Sequence, residues 1–377
     1  MNKKIVVGMV FGGRSGEHEV SLRSARAVVE GLNPERYTVV PIAISKAGKW
    51  LSPAEAAELL PAETRQLLPK HITGGSRDDV ALIGDPSHTG LVKLSGADPR
   101  APLMLDVVFP VLHGTYGEDG TIQGLLEMAG VPYVGCGVLA SSCGMDKVVM
   151  KALFRDAGLP VCKYLWFLRG EWEHDPGPVL RRVAKEIGYP CFVKPANLGS
   201  SVGISKAVDR RTLQEAIDLA ARYDRKVIVE EGLDAREIEC AVIGNDEPLA
   251  SLPGEYVVHD QRAAFLDYTE KYSSTGHVEF IVPAKMPHKL TVRIQKMAQQ
   301  AFKSVDGAGF ARVDFFVRRD NGELIINELN TIPGLTEVSG YPKMWAASGM
   351  PFPQVLDRLI QLALERHQDK IRNTTSL

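Results

Sequence analysis

Cysteine is scarce in this chain of 377 residues, and the few cysteines present are dispersed along it. They are Cys136, Cys143, Cys162, Cys191 and Cys240, and no C-x-x-C pair occurs. An odd number of scattered cysteines argues against a disulfide framework, and the missing pair argues against a structural zinc site. The pattern favours a reducing compartment, so we expect a cytoplasmic protein.

The sequence also lacks a surplus of one charge and a long apolar run. Its 44 Lys and Arg and 46 Asp and Glu give a formal net charge of −2, and the basic residues are spread out. This excludes the basic stripe of a nucleic-acid binder. No apolar run approaches the roughly 20 residues that span a bilayer. The run at 4–11 leads into a charged segment without a cleavage site, so it predicts a buried strand rather than a signal peptide.

A Walker-type P-loop, GxxxxGK[ST], is missing as well, so a phosphate group would have to be held differently. Lys194 ends an apolar strand, and a loop with Ser200 and Ser201 follows. A cation beside a flexible loop of backbone N–H donors can grip phosphate. Lys147, at a helix start, is a second candidate. The structural alternatives are a snorkelling lysine at a turn and an exposed helix residue.

Strands and helices alternate along the chain, which predicts a mostly parallel α/β sheet at the N-terminus. Predicted strands there cover 4–11, 37–44 and 105–114, with helices over about 21–32 and 119–129. Residues 52–100 read as an irregular insertion. Further predicted elements are helix 145–156, strands 163–168, 189–194, 202–208 and 226–231, helix 287–305 and a final helix 351–366. The composition changes near 139 and 234, so we expect units at 1–138, 139–233 and 234–377.

Two predicted strands near the C-terminus carry polar side chains with the same spacing. Arg312 and Asp314 lie two apart, as do Glu328 and Asn330, and residues two apart share one face of a strand. A hairpin around Asp320-Asn321-Gly322 would bring the four together. Two carboxylates and an amide oxygen suit magnesium. The structural alternative is a solvated polar face with a salt bridge.

A third element is the stretch VIVEEGLDAREIE, which reads as a hinge strand between two units. Its exposed main-chain groups would meet an adenine edge, and a carboxylate would accept ribose hydroxyls.

In this order and spacing, these residues resemble the ATP-grasp enzymes, and more narrowly the D-alanine–D-alanine ligases along essentially the whole chain. The matching stretches are GGRSGEHEVSL (12–22), HGTYGEDGTIQG (113–124), GMDK (144–147), KPANLGSSVG (194–203), DAREIE (234–239), DYTEKYSSTG (267–276), ARVDFF (311–316) and NELNTIPGLTEVSGYP (327–342). The resemblance implies an ATP-grasp fold, in which an N-terminal parallel α/β domain precedes two α+β domains that grip ATP between them.

The resemblance also implies site residues. The ATP site would comprise Lys147, Lys194, Ser201, Glu230, Glu231, Leu233, Glu237, Phe316 and Asn327. Two magnesium ions, which manganese can replace, would be held by Asp314, Glu328 and Asn330. The catalytic set would be Glu17, Ser200, Tyr272, Arg312 and Gly334, and the D-alanine contacts would be His113, Lys271, Ser339 and Gly340. A lone histidine such as His113 is more often a satisfied structural group.

The implied reaction begins with γ-phosphoryl transfer to the carboxylate of a first D-alanine. Glu17 would hold the ammonium group of this substrate. Lys271 and Ser339 would hold the carboxylate of the second D-alanine, whose amine attacks the acyl phosphate, while Arg312 and the backbone at Gly334 stabilise the oxyanion. An acyl phosphate hydrolyses in open water, so the 267–276 segment and the Ser200 loop are expected to be lids. The family further implies a homodimer.

Three alternatives stay open in the sequence. Residues 135–140 match G-x-G-x-x-A, the fingerprint of a dinucleotide-dependent oxidoreductase, but Asp156, at the spacing of the required acid, lies in a predicted helix. A regulatory nucleotide-binding module would have no need for the Arg312 group. Related ligases join D-alanine to D-lactate or D-serine. Tyr272 favours the dipeptide, whereas Gly340, where a bulkier residue is expected, predicts an enlarged acceptor pocket and relaxed acceptor choice.

Overall fold

The structure is a computed structural model and describes residues 3–94, 103–199, 202–258 and 278–374. The N-terminal part forms a mostly parallel sheet. Its elements are β1 (Ile5–Gly12), α1 (His18–Gly31), β2 (Tyr37–Ile44), β3 (Trp50–Leu51), β7 (Val107–Pro110) and α5 (Thr121–Met128). The strand order is β3-β2-β1-β7, and β1 runs parallel to β2 and β7. Continuous β-branched runs suit a sheet that is buried on both faces.

Residues 52–100 are not irregular throughout, so that prediction was wrong. Within 52–94 the chain forms three short helices, α2 (Pro53–Glu58), α3 (Ala62–Gln66) and α4 (Lys70–Thr73), and the strands β4 (Val80–Leu82) and β5 (Gly90–Lys93). These two strands form a small sheet with β6 (Leu103–Met104). Ser52 and Glu55 make a reciprocal capping box at the start of α2. This local signal begins a helix that its polar, alanine-rich sequence does not reveal by periodicity.

The central part of the chain builds an antiparallel sheet flanked by helices. Its elements are α6 (Val138–Met145), α7 (Lys147–Asp156), β8 (Tyr164–Leu168), α8 (Arg169–His174), α9 (Pro176–Glu186), β9 (Cys191–Pro195), β10 (Ser205–Ala207), α10 (Arg210–Tyr223) and β11 (Lys226–Glu231). The strand order is β10-β9-β11-β8. The helix predicted over 145–156 is found as α7, which begins two residues later because Asp146 caps it through the N–H groups of Val148 and Val149.

The C-terminal part carries the predicted hairpin in a larger antiparallel sheet. Its elements are β12 (Ala235–Gly244), β13 (Leu249–Ala250), β14 (Gly254–Val258), β15 (Val278–Ile281), α11 (His288–Ser304), β16 (Gly309–Arg318), β17 (Leu324–Asn330), α12 (Gly340–Ala347) and α13 (Phe352–Lys370). The order is β15-β14-β12-β16-β17, with β13 beside β12. Helix α13 extends beyond the predicted 351–366. None of the described helices is long and apolar enough to cross a membrane.

One hydrophobic cluster joins the two ends of the chain. Phe11 from β1 packs in the same cluster as Phe310 from β16 and Leu359 from α13. Tyr341, at the start of α12, meets the Phe310 ring edge-on with 5.5 Å between centroids. The division into units at 1–138, 139–233 and 234–377 therefore stays a prediction, since the first and third ranges share a core.

Helix α1 begins at His18, three residues before the predicted start, because Ser21 is not its cap. The Ser21 hydroxyl is fully buried, donates to the carbonyl of Val111 and accepts the N–H of Gly12. It thus joins the ends of β1 and β7, and this fixes the position of the loop that carries Glu17.

Candidate active site

The hairpin of β16 and β17 places its four polar residues in facing pairs. Arg312 lies opposite Asn330, and Asp314 lies opposite Glu328. The Arg312 guanidinium donates two bonds to Asp314, at 2.7 and 2.6 Å, and the Asn330 amide donates to the same carboxylate at 3.1 Å. The predicted convergence is confirmed as geometry.

A second carboxylate, which the sequence analysis did not single out, completes the arginine site. Glu239 on β12 is buried, and its carboxylate lies 3.2 Å from the Nε of Arg312. Arg312 is thus held between carboxylates on two neighbouring strands, and its planar group is fixed in orientation.

A β-bulge at Asn327 sets the Glu328 carboxylate opposite Asp314. The register shifts there, because Asp314 pairs with Glu328 whereas Phe315 pairs with Ile326. Ile326 is consequently fully buried although Glu328, two residues on, lies on the polar face. The carbonyl of the extra residue accepts a hydrogen bond from the Lys151 ammonium at 2.9 Å. Lys151, which sequence reasoning missed, therefore anchors helix α7 to the hairpin.

Glu230, at the end of β11, forms a buried ion-pair cluster with two lysines. Its oxygens lie 2.7 Å from the Lys194 ammonium and 3.0 Å from that of Lys151. Burial alone would raise the pKa of Glu230, but the two ammonium groups outweigh it and lower that pKa to about 2. The cluster thus fixes the position of the Lys194 ammonium, a predicted phosphate ligand.

Lys147 lies beside the start of the predicted phosphate loop. Its ammonium donates to the carbonyl of Leu198 at 2.7 Å, and its backbone N–H bonds to Ala196. Burial lowers the pKa of Lys147. The lysine thus holds the loop that leads to Ser200 and Ser201.

The predicted hinge runs from the end of β11 into β12. Glu231 accepts the backbone N–H of Lys163 at 2.7 Å, so its side chain braces the hinge. Leu233 is half-buried between β11 and β12, while Glu237 and Phe316 pair across β12 and β16.

Four predicted site residues lie outside the described part of the chain. They are Ser200, Ser201, Lys271 and Tyr272, together with the 267–276 segment expected to act as a lid.

The predicted first-substrate residues lie in two neighbouring loops, Glu17 between β1 and α1 and His113 after β7. An oxygen of Glu17 lies 3.2 Å from where a Cβ at Gly114 would stand and 2.7 Å from that position at Gly199. The carboxylate thus needs two glycines beside it. Both ring nitrogens of His113 are within 2.9 Å of partners, the Ser24 hydroxyl and the Ile332 carbonyl. Burial lowers its pKa, so the structural alternative for His113 fits this geometry.

Glu118 is a half-buried carboxyl that sequence reasoning passed over within the 113–124 stretch. It accepts the backbone N–H groups of Gly114 at 2.8 Å and Ile332 at 2.9 Å. It therefore ties the first-substrate loop to the segment after β17. Burial and the nearby charge of Glu17 raise the pKa of Glu118 to about 8, although its two backbone bonds oppose this shift.

We expect Glu118→Gln to alter how the melting temperature depends on pH. A raised native pKa means that the native state favours the protonated carboxyl, so this contribution is complete below about pH 4.5 and is lost as the pH rises through about 8. Glutamine does not titrate there. The melting-temperature advantage of wild type over the variant should shrink as the pH rises, and a constant difference would contradict the assignment.

The segment that follows β17 carries Gly334, Ser339 and Gly340. The Ser339 hydroxyl is within 2.7 Å of the Thr336 hydroxyl and accepts the Thr336 N–H, so it is oriented before a substrate binds. Gly334 lies half-buried in the preceding loop.

The prediction of an enlarged pocket at Gly340 is wrong. A Cβ there would stand 2.5 Å from a Glu239 oxygen and 2.8 Å from the Phe280 ring. The space is already filled, so relaxed acceptor choice stays a prediction without its structural reason.

The glycine motif at 135–140 has no room for a dinucleotide. A Cβ on Gly309 would lie 2.9 to 3.2 Å from three backbone atoms of Gly135, so strand β16 covers the turn. A pyrophosphate needs that backbone to be open. The motif serves close packing, and the oxidoreductase alternative is not favoured.

Comparison with known proteins agrees with this geometry. The family model described as D-ala D-ala ligase N-terminus matches residues 6–136, and the D-ala D-ala ligase C-terminus model matches residues 153–361. A D-alanine–D-alanine ligase of Heliobacterium modesticaldum is 48% identical over 99% of this chain and 98% of its own length. One from Natranaerobius thermophilus is 47% identical, with the same coverage.

Solved structures show the same likeness. The D-alanine–D-alanine ligase of Coxiella burnetii is 35% identical, with a TM-score of 0.81 over 98% of this chain and 96% of that one. The VanG D-Ala:D-Ser ligase of Enterococcus faecalis is 37% identical, with a TM-score of 0.80 over 96% and 100%. Fold and site thus define an ATP-dependent ligase of the ATP-grasp class. The chain belongs to the D-alanine–D-alanine ligase family.

Proposed function

We propose that this chain joins two D-alanine molecules to D-alanyl-D-alanine and converts ATP to ADP and phosphate, as a step of peptidoglycan precursor synthesis. The observation that carries the proposal is the hairpin on which Arg312, Asp314, Glu328 and Asn330 face one another. Full-length likeness to ligases of this name supports the choice of substrate.

Acidic and basic side chains have different roles in the proposed reaction. Glu17 attracts the ammonium group of the first D-alanine, beside a backbone that two glycines keep open. Lys147 and Lys194 offset the negative charge that collects when a phosphoryl group meets a carboxylate. Arg312, fixed by Glu239 and Asp314, stabilises the oxyanion that forms when the second amine attacks.

The donor set of the hairpin fits magnesium. Asp314, Glu328 and Asn330 offer hard oxygen ligands, and among the described residues no group of three or more acidic, histidine or cysteine side chains forms a metal cage by itself. An ion held by few protein ligands keeps waters and substrate phosphates, as magnesium does. We propose two magnesium ions, with manganese as a substitute, which would neutralise phosphate charge when bound.

Removing one charge from the hairpin tests this site. Glu328→Gln should lower kcat by roughly a hundredfold or more, because a metal ligand is lost. The magnesium concentration for half-maximal rate should also rise. The matched control is Glu323→Gln, an exposed glutamate of the same hairpin, which should behave as wild type. Equal magnesium dependence in both variants would count against Glu328 as a ligand.

The reaction itself is tested by mass spectrometry. The purified protein is incubated with ATP, magnesium and D-alanine, and we expect the dipeptide together with one ADP for each product molecule. D-Lactate and D-serine are added in competition, because ligases that use these acceptors share the fold. If D-alanine forms no dipeptide but a mixed product appears with one of them, the assignment moves to that alternative.

Assembly and location rest on the family resemblance and on the need for ATP. We infer a homodimer in the cytoplasm. Light scattering coupled to gel filtration should give twice the chain mass of 41.2 kDa. A monomer at working concentration would refute the dimer.

A further inference from the structure

The phenyl ring of Phe280 is wedged between two glycines from different elements. A Cβ on Gly254 would stand 2.2 Å from this ring, and a Cβ on Gly340 would stand 2.8 Å from it. The ring also packs on Tyr256, its direct partner across β14 and β15, with 4.7 Å between centroids. Phe280 therefore occupies the volume that side chains at both glycine positions would take.

Backbone conformation does not explain these two glycines. Neither has the positive φ that excludes other residues, and Gly254 lies in a strand while Gly340 begins helix α12. Close approach of the same ring is the feature they share. The aromatic side chain at position 280 thus fills the volume that a side chain at position 340 would otherwise occupy.

The position of this ring gives it a role. Gly340 directly follows Ser339, and its missing side chain would also meet Glu239, the carboxylate that fixes Arg312. The ring therefore packs against the residue that follows the predicted acceptor-carboxylate group, close to the carboxylate that fixes the predicted oxyanion group. We infer that Phe280 forms the wall of the acceptor subsite and sets the size of the acceptor side chain. This rests on the proposed function, which assigns Ser339 and Arg312 to the second D-alanine.

The wall that Phe280 supplies comes from a different element than a bulkier side chain at residue 340 would. Residue 340 begins helix α12, directly after Ser339, whereas Phe280 comes from strand β15. If Phe280 forms this wall, removing its phenyl ring opens space for a longer acceptor side chain. One methylene in such a pocket typically changes selectivity by about tenfold or more.

The test removes the side chain at position 280 and adds one at position 340. Selectivity is the ratio of kcat/KM for D-alanine to that for D-2-aminobutyrate as acceptor, read from the masses of the two dipeptides. Phe280→Ala should lower this ratio about tenfold, and the double variant Phe280→Ala, Gly340→Leu should restore it to within about threefold of wild type. Gly340→Leu alone should lower kcat/KM for both acceptors, because the leucine meets Glu239 and Phe280.

The matched control is another phenyl that stands over a glycine. Phe352 lies 3.2 Å from where a Cβ at Gly31 would be, and it is also half-buried. Phe352→Ala should leave the selectivity unchanged. If it shifts selectivity as much as Phe280→Ala does, the effect is general loosening and the inference is overturned.

The remaining outcomes separate the two proposals. If wild type makes no D-alanyl-D-alanine, the proposed function fails. If it makes the dipeptide and Phe280→Ala changes selectivity less than about twofold, the function stands and the role of Phe280 is refuted. Should Phe280→Ala not fold, Phe280→Leu takes its place, with an expected shift of about threefold and the same twofold limit.

Discussion

Replacing Arg312 with lysine should lower kcat by roughly a hundredfold to a thousandfold while the protein stays folded. Lysine keeps the positive charge that Asp314 and Glu239 require, so no buried carboxylate loses its counter-ion. It lacks the planar fork that bonds Asp314 twice, and its point charge cannot fix the direction of donors toward an oxyanion. Steady-state kinetics with D-alanine, together with thermal melts, measure both properties.

Arg318 supplies the control for this variant. It lies on the same strand, pairs bidentately with Asp320 at the hairpin tip and is more exposed than Arg312. Arg318→Lys should retain wild-type kcat. If Arg312→Lys also retains it, the guanidinium has no part in the chemical step, and the oxyanion role passes to other donors.

Replacing Lys151 with methionine should cost about 3 to 5 kcal/mol in the free energy of unfolding. Methionine fills similar volume, but Glu230 then keeps only one of its two ammonium partners and the Asn327 carbonyl loses its donor. Burial opposes charge on Lys151, yet the Glu230 carboxylate outweighs it and raises the Lys151 pKa, so the lysine is charged in the native state. Urea unfolding followed by circular dichroism measures the loss.

The variant also has a functional consequence, since Glu230 orients Lys194. The KM for ATP should rise in Lys151→Met more than the KM for D-alanine. Arg155→Met, one turn further along α7 and exposed, is the control and should change neither stability nor KM by much. A double variant with Glu230→Gln should lose less stability than the sum of the single changes, because the unpaired carboxylate is gone. Additive losses would show that the pair is not coupled.

Residues that repeat with a strand period were predictable from the sequence. The two-residue spacing puts Arg312 with Asp314, and Glu328 with Asn330, on shared strand faces, but their pairing across the hairpin also needs the bulge at Asn327, which the sequence did not reveal. The buried strands of the first sheet follow from runs of β-branched residues. Such features depend on neighbours along the chain, which a sequence displays directly.

Contacts between distant segments were not predictable in this way. Lys151 stands in the sequence as an ordinary helix lysine, and only the fold brings it to Asn327 and Glu230. Glu118 meets Ile332 across more than two hundred residues. Gly340 looked like an empty position because the Phe280 ring that fills it comes from another strand.

Because of the bulge in β17, deleting one residue from this hairpin has a different effect at each position. Deleting Asn327 would leave Glu328 beside Asp314, so the acidic surface would keep its appearance while helix α7 lost its tether. Deleting Leu329 would instead rotate Asn330 into the apolar interior. The exposed tip around Asn321 tolerates either kind of change. Natural or engineered descendants of this enzyme should therefore vary in length at the tip and keep the stem constant.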